Sequence, residues 1–389
     1  MDSVLELIFI LCLIPVLHTY AVYPMSMVFF FPKPRNNRRS FLREEDLPEV
    51  AVLIAAYNEE KVIREKVISV FSTGYPENKL KVYIGSDASA DATDAIVEEL
   101  QRTYPRLELV KFQGRTGKIN IINHLQSLGD EDILIMTDAN VIFGPDVIYE
   151  LVKYFRDEEV GIVAANIMKQ TSNNEGISYQ EKVYLSLENR VKAAESNAFE
   201  LVMGAEGGCY AIRNSLFSKV PSKFNVDDFY ITFQVILKNK KVLFNPQAVC
   251  REDVPGAVEG EYRRKVRISS GNFQNLFFFR SLLVRFWTPL GYAFWSHKVL
   301  RWLTPFFLLL MFISSAILAS GSFVFLILFL LQFAGFLLPA FDKVVEFKSP
   351  TLKFICHFYF MNLALLAGFV RFTRGIQSSI WQPVNRNVQ

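Results

Sequence analysis

Residues 33–290 alternate short apolar segments with amphipathic ones, and long apolar runs lie on both sides of that block. The alternation constrains the fold more than any other feature. Strands are predicted at Glu49–Ala56, Leu80–Gly85, Leu107–Phe112, Asp132–Met136 and Gly161–Ala165, with helices at Glu59–Phe71, Ala92–Tyr104, Lys118–Leu128 and Asp146–Phe155. Strands that alternate with helices predict an α/β fold with a mostly parallel sheet, helices on both faces and right-handed crossovers. In such sheets ligands bind beyond the carboxyl ends of the strands. Tyr57-Asn58-Glu59, Ser86-Asp87 and Thr137-Asp138 all fall at those ends, so residues distant in sequence are expected to converge.

The apolar runs are a second constraint. A bilayer core about 30 Å thick is crossed by about 20 apolar helical residues, and four segments qualify: 7–28, 299–319, 322–341 and 354–372. The first carries Asp2 and Glu6 where a signal peptide would be basic, and no small-residue cleavage site follows it, so it is expected to be a retained anchor. Lys33, Arg35, Arg38, Arg39 and Arg43 come directly after it, which predicts a cytoplasmic α/β block by the bias of basic residues to that side. Between that block and the later spans, residues 273–298 mix Phe277, Phe278, Phe279, Trp287 and Trp295 with Arg280, Arg285 and Lys298, a pattern suited to helices lying in the membrane interface. A net charge of +3 gives no support to a nucleic-acid partner, and Cys12, Cys209, Cys250 and Cys356 have neither metal nor C-x-x-C spacing.

Within the α/β block, chemistry-bearing residues cluster at the predicted strand ends. Ala56-Tyr57-Asn58-Glu59 follows the first strand; alone, Asn58 reads as a helix cap. Asp87 stands after the second strand, where a base or ribose can be hydrogen-bonded. Gly114-Arg115-Thr116-Gly117-Lys118 is glycine-rich and basic, yet Ile119 breaks the phosphate-loop pattern, which argues against a nucleoside triphosphatase. A lysine at a helix start still suits a diphosphate. Asp138-Ala139-Asn140 offers two oxygen ligands to a hard cation such as Mg2+ or Mn2+. Asp227-Asp228 opens a helix, and there one carboxylate can act as a general base. Glu206-Gly207-Gly208 supplies a backbone that another molecule can approach closely. Arg264 and Arg267 share one face of a predicted helix, as a diphosphate clamp or as a basic collar beside the membrane. Three separated acidic sites and one lysine are what a metal-dependent nucleotide-sugar enzyme requires.

Taken in order, these motifs resemble the membrane-bound family 2 glycosyltransferases, which include the synthases of hyaluronan, cellulose, chitin and poly-N-acetylglucosamine. The resemblance covers residues 49–305. It implies a GT-A type nucleotide-diphospho-sugar transferase domain, with Ala56, Tyr57, Asn58, Glu59, Asp87, Lys118 and Asp138 on the nucleotide sugar and Asp138 and Asn140 as the D-x-D metal motif. It likewise implies Glu206, Gly207 and Gly208 at the acceptor, Asp228 as the base with Asp227 beside it, and Arg264 and Arg267 in the place of Q-x-x-R-W. Two positions depart from the family pattern. Asn140 replaces the second aspartate, and Arg264-Lys265-Val266-Arg267-Ile268 lacks both the glutamine and the tryptophan, which weakens the expectation of a processive polymerase.

The expected organisation is an anchor at 1–32, the GT-A domain at 33–272, interfacial helices at 273–298, three spans at 299–372 and a tail at 373–389. The expected activity is inverting transfer from a UDP-sugar to a surface polysaccharide or exopolysaccharide at the inner membrane, with an export partner or self-association as possible company. The alternatives are single-sugar transfer to a lipid-linked acceptor and a catalytically inactive partner subunit.

Overall fold

The computed structural model describes residues 2–32, 38–170, 177–253 and 258–375. It begins with helices α1 (Asp2–Leu17) and α2 (Tyr23–Phe30), joined through His18–Val22 into one apolar rod, Asp2–Phe30. At 1.5 Å per residue, its 29 residues exceed the length needed to cross a bilayer.

The α/β unit follows. Strand β1 (Val50–Ala56) is buried along its whole length, as expected of an apolar run covered on both faces of a sheet. It leads to α3 (Ile63–Phe71), β2 (Leu80–Ser86), α4 (Thr93–Gln101), β3 (Leu107–Lys111), α5 (Lys118–Gln126) and β4 (Ile133–Asp138). These four strands are mutually parallel in the order β3-β2-β1-β4. Ala56 pairs with Ser86 and Ala55 with Asp138, so β1, β2 and β4 end at one level. The predicted convergence of the strand ends is therefore a matter of register.

The second half of the sheet is less regular than the alternation suggests. Strand β5 (Val141–Phe143), helix α6 (Val147–Val152) and the long strand β6 (Val160–Gln170) precede helix α7 (Ile177–Phe199). Strand β7 (Cys209–Arg213), helix α8 (Asp227–Leu237) and strand β8 (Lys241–Asp253) complete the unit. The full order is β3-β2-β1-β4-β7-β6-β8-β5, a mixed and mostly parallel sheet in which β7 is antiparallel to β4 and β6, and β5 to β8. Because β7 enters antiparallel with Cys209 opposite Thr137, the loop before it arrives at the carboxyl end of β4.

Helix α9 (Val258–Phe278) leads through α10 (Pro289–Phe294) to α11 (Leu300–Leu318), α12 (Phe323–Val345) and α13 (Pro350–Thr373). Among the described residues, four helices are long and apolar enough to cross a membrane: Asp2–Phe30, Pro289–Leu318, Phe323–Asp342 and Pro350–Thr373. The second starts ten residues before the predicted span at 299, because Pro289 opens a helix that runs unbroken into α11, with Thr288 accepting from the Gly291 amide as its cap. Residues 289–298, expected among the interfacial helices, are therefore the first turns of this long helix.

The chain divides into two compact units. One holds the described residues of Met1–Phe30, Asn173–Tyr184 and Val258–Ile376, and the other those of Phe31–Ser172 and Leu185–Ala257. Helix α9, expected within the α/β block, groups with the apolar helices. It packs on α13, where the Ser269 hydroxyl donates to the Leu365 carbonyl at 2.9 Å and Phe273 meets Phe369 at 5.1 Å between ring centres.

Candidate active site

The predicted loops meet at the carboxyl edge of the sheet and are laced together. Asn58 adopts a left-handed backbone (φ +53°), accepts at Oδ1 from the Ala90 amide at 2.8 Å and donates its own amide to Ser89 Oγ at 3.2 Å. The Glu59 and Glu60 amides donate to Thr93 Oγ1 and Asp91 Oδ2. Asn58 therefore ties the first loop to the second, and α3 begins four residues later than the predicted helix at Glu59.

Asp87, directly after the end of β2, is fully buried. Its carboxylate accepts from Arg115 Nε at 3.0 Å, from the Thr116 amide and hydroxyl, and from the Gly117 amide. Gly117 has φ +84°, a backbone that glycine tolerates best, and stands directly before α5. Arg115 also stacks over Tyr57, 3.3 Å from the ring centre. Asp87 thus organises the 115–117 loop, and through it the start of α5.

Lys118, the first residue of α5, is ion-paired with Asp138 at the end of β4. Both remain partly exposed, at 27% and 39% of their side chains. Burial works against the Lys118 charge, but Asp138, Asp227 and Asp228 outweigh it and hold the ammonium above the ordinary lysine range. Asp227 and Asp228 form the first turn of α8, where the helix dipole favours acids. Asp228 Oδ2 accepts from the Gly207 amide at 2.6 Å and Oδ1 from the Phe229 amide at 2.7 Å. Burial first, and then the Asp227 charge, raises the Asp228 carboxyl to about 7, against the opposite pull of Lys118 and those two amides. A carboxylate that accepts two hydrogen bonds and titrates near neutrality suits a general base.

The glycine pair closes this arrangement. The Gly208 carbonyl accepts from the Asp138 amide at 3.2 Å and from Thr137 Oγ1 at 2.9 Å. A methyl placed on Gly208 would lie 2.6 Å from Ile167 Cδ1, so the Ile167 side chain would have to shift to admit it. Glu206 is ion-paired with Lys192 of α7 at 3.0 Å. Burial draws the Lys192 ammonium down, but Glu206 and Glu188, and then Asp228, raise it overall.

Asn140 is almost buried, and its amide nitrogen donates to Glu252 Oε1 at 3.3 Å; Glu252 in turn pairs with Lys169 at 2.8 Å. Its amide oxygen is the end with cation-ligand chemistry. Asp138 contacts the Lys118 ammonium and the charges of Asp227 and Asp228 also act on it, a balance that fits a divalent cation with an anionic ligand. Among the described residues, no three His, Cys, Asp or Glu side chains stand close enough to enclose an ion by themselves. A cation there would complete its shell from non-protein oxygens such as phosphates.

Arg264 and Arg267 lie on α9 in the other unit. Sequence reasoning missed Lys66 and Lys192. Lys66 is fully buried on α3, donating to Thr137 Oγ1 at 2.9 Å and to the Val141 carbonyl, with its ammonium 3.7 Å from the Phe143 ring centre. Burial pulls it down to about 8, with Cys209, Cys250 and Asp138 opposing. Leaving water costs an ammonium several kcal/mol, which hydrogen bonds to the charge, about 1.5–3 kcal/mol each, offset in part. The signal was available. Ile63, Lys66, Val67 and Val70 are spaced i, i+3, i+4, i+7, so a lysine occupies the apolar stripe of α3.

Residues 51–220 match Glycosyl transferase family 2. It is 22% identical over 259 residues to the poly-beta-1,6-N-acetyl-D-glucosamine synthase of Staphylococcus epidermidis, covering 64% of this chain and 62% of the relative. Over 158 residues it is 32% identical to the beta-monoglucosyldiacylglycerol synthase of Trichormus variabilis, covering 40% of this chain and 32% of the relative. The chain thus spans less than two thirds of these curated relatives. The solved mannosyltransferase PcManGT of Pyrobaculum calidifontis, in complex with GDP-Man and Mn2+, superposes with a TM-score of 0.71 at 21% identity, over 95% of this chain and 99% of that one. The fold is of the GT-A type, accompanied by four candidate transmembrane helices.

Proposed function

We propose that this chain is a membrane-bound, inverting glycosyltransferase that moves a sugar from a UDP-sugar to an acceptor hydroxyl of a growing surface polysaccharide. The observation that carries the reading is the convergence of Asp138, Lys118, Asp227 and Asp228 at one edge of a GT-A sheet, with Asp228 titrating near neutrality. Asp228 takes the proton from the acceptor hydroxyl, which attacks the anomeric carbon from the face opposite the nucleoside diphosphate. Gly207 holds that carboxylate through its amide, and Asp227 tunes its affinity for the proton. Lys118 brings positive charge to the departing diphosphate from the start of α5.

Asp138 and Asn140 would hold Mg2+ or Mn2+, which when bound neutralises charge on the leaving group. Tyr57, Asn58 and Asp87 shape the nucleoside shelf through the 57–60 and 115–117 loops. Glu206 and the glycine pair line the acceptor side. The sequence resemblance implies a role for Arg264 and Arg267 of α9 on the leaving diphosphate.

The enzyme would lie in the plasma (inner) membrane with its α/β unit in the cytoplasm, as the basic cluster after the first helix supports. Transfer of a single sugar to a lipid-linked acceptor is the second reading. It is favoured by Ile268 in the place of the family tryptophan and by the similarity to a glycolipid synthase.

The test is nucleoside-diphosphate release by the purified full chain over a panel of UDP- and GDP-sugars, with Asp228→Asn as control and product size read by gel. Release from UDP-sugars supports the proposal, and product length separates polymer from single transfer. A folded protein that releases no nucleotide from any donor would instead be an inactive partner subunit.

A further inference from the structure

We propose that Lys66 is a positioning residue that braces the Asp138–Asn140 turn and the 207–208 loop against each other from beneath the site. Its ammonium reaches both arms of the turn that carries the cation motif. Thr137 precedes Asp138, and Val141 follows Asn140; Lys66 Nζ donates to Thr137 Oγ1 at 2.9 Å and to the Val141 carbonyl. The Thr137 hydroxyl passes the connection on, donating to the Gly208 carbonyl at 2.9 Å, which also accepts the Asp138 amide. Gly207, one residue earlier, holds Asp228 at 2.6 Å. One unbroken chain of polar contacts thus runs from α3 through the end of β4 to the loop that seats the base.

The placement is specific in a way that packing alone does not require. Lys66 interrupts a stripe formed by Ile63, Val67 and Val70, where another apolar residue would fill the same space. Its stem is enclosed, and its ammonium faces the Phe143 ring at 3.7 Å on one side and the turn on the other. The lysine touches neither the nucleotide sugar nor the acceptor in the proposed function. It acts on the carbonyl and hydroxyl that set where Asp138 and Asn140 stand. Groups that orient metal ligands in this indirect way commonly change metal affinity or activity about 10–100-fold when removed. The inference rests on the cation reading given above.

The experiment uses the full chain in detergent and measures free Mn2+ by electron paramagnetic resonance during titration in the presence of UDP, with turnover measured in parallel. Lys66→Met keeps the stem and removes the ammonium. The expected result is a folded protein whose Mn2+ affinity and turnover both fall about 10-fold or more. Wild-type affinity and turnover in Lys66→Met would overturn the proposal. Thr137→Val leaves Lys66 in place and breaks the connection to Gly208. It should weaken Mn2+ binding in the same direction, and if Lys66→Met fails to fold while Thr137→Val binds and turns over normally, Lys66 is only structural. Asp138→Ala separates the two levels of the argument. Full Mn2+ binding there overturns the cation reading, while lost binding there with full binding in Lys66→Met overturns the brace alone.

Discussion

Gly207 and Asp228 are in contact closer than any side chain at 207 would allow. The Gly207 amide donates to Asp228 Oδ2 at 2.6 Å, and a β-carbon at 207 would lie 2.8 Å from that oxygen and 3.3 Å from the carboxyl carbon. Gly207→Ala must therefore move the carboxylate or the loop. A displacement of about 1 Å from the productive geometry costs on the order of 100-fold in rate. The expected outcome is a kcat at least tenfold lower with little change in melting temperature, because the site lies at the edge of the sheet and not in its core. Unchanged turnover would show that the base stands elsewhere.

The acidic pair should be unequal. Asp228→Asn keeps the shape and the hydrogen-bonding atoms but removes the proton acceptor, and general-base catalysis contributes about 10²–10⁴-fold. Donor binding, measured by calorimetry with UDP, should change little. Asp227→Asn should be milder in rate, since Asp227 acts by its charge on Asp228. If Asp227 proves indispensable and Asp228 does not, the base is one residue earlier.

The rate should depend on pH in a direction that the Asp228 environment sets. Its carboxyl is raised to about 7, so it is protonated and inactive below that value and ionised above it. The kcat profile should rise with unit slope on the acid side and level off above pH 7, and Asp227→Asn should move the rise to lower pH. For stability the sign is opposite. A carboxyl raised in the folded state contributes most below its unfolded range near 4, and that contribution is lost as pH climbs through about 7. Chemical denaturation at pH 5 and 8, wild type against Asp228→Asn, measures the difference.

Much of the α/β half was legible because β1 to β4 are apolar runs bounded by turns, where period and length agree. Their edges shifted where polar residues continue a strand, as Thr137 and Asp138 do in β4. The antiparallel strand β7 and the long β8 were not legible, because their pairing is set by partners far away in sequence. Helix α7 was missed because it mixes charged and apolar residues over 23 positions without one clear stripe. The candidate residues were legible as types at strand ends. What the sequence did not reveal is how they are occupied: Asp87 by the 115–117 loop, Lys118 by Asp138, Asn140 by Glu252. Helix α9 shows the limit on boundaries, since its arginines suggested the catalytic block while Ser269 and Phe273 bind it to α13.

The proposed orientation in the membrane can be tested at the basic segment that follows the first helix. The basic residues after Asp2–Phe30 should lie on the cytoplasmic side. In a background where Cys12, Cys209, Cys250 and Cys356 are replaced, a cysteine at Ser40 should resist a membrane-impermeant maleimide in intact cells and react after permeabilisation. Labelling from outside would invert the proposed topology.

Lys118 should carry two separable effects. Its ammonium lowers the Asp228 carboxyl, and in the proposed mechanism it also meets the diphosphate. Lys118→Met should therefore weaken UDP binding, read by calorimetry, and also displace the acid limb of the kcat profile to higher pH. The second effect follows because burial and Asp227 would then raise Asp228 with less opposition. Asp138→Ala isolates the first effect, since it weakens the cation site while leaving the Lys118 charge beside Asp228. The two variants should both lose UDP affinity, and Lys118→Met alone should move the limb upward. A limb that stays near pH 7 in Lys118→Met would mean that the titrating group is not Asp228, whatever happens to the affinity.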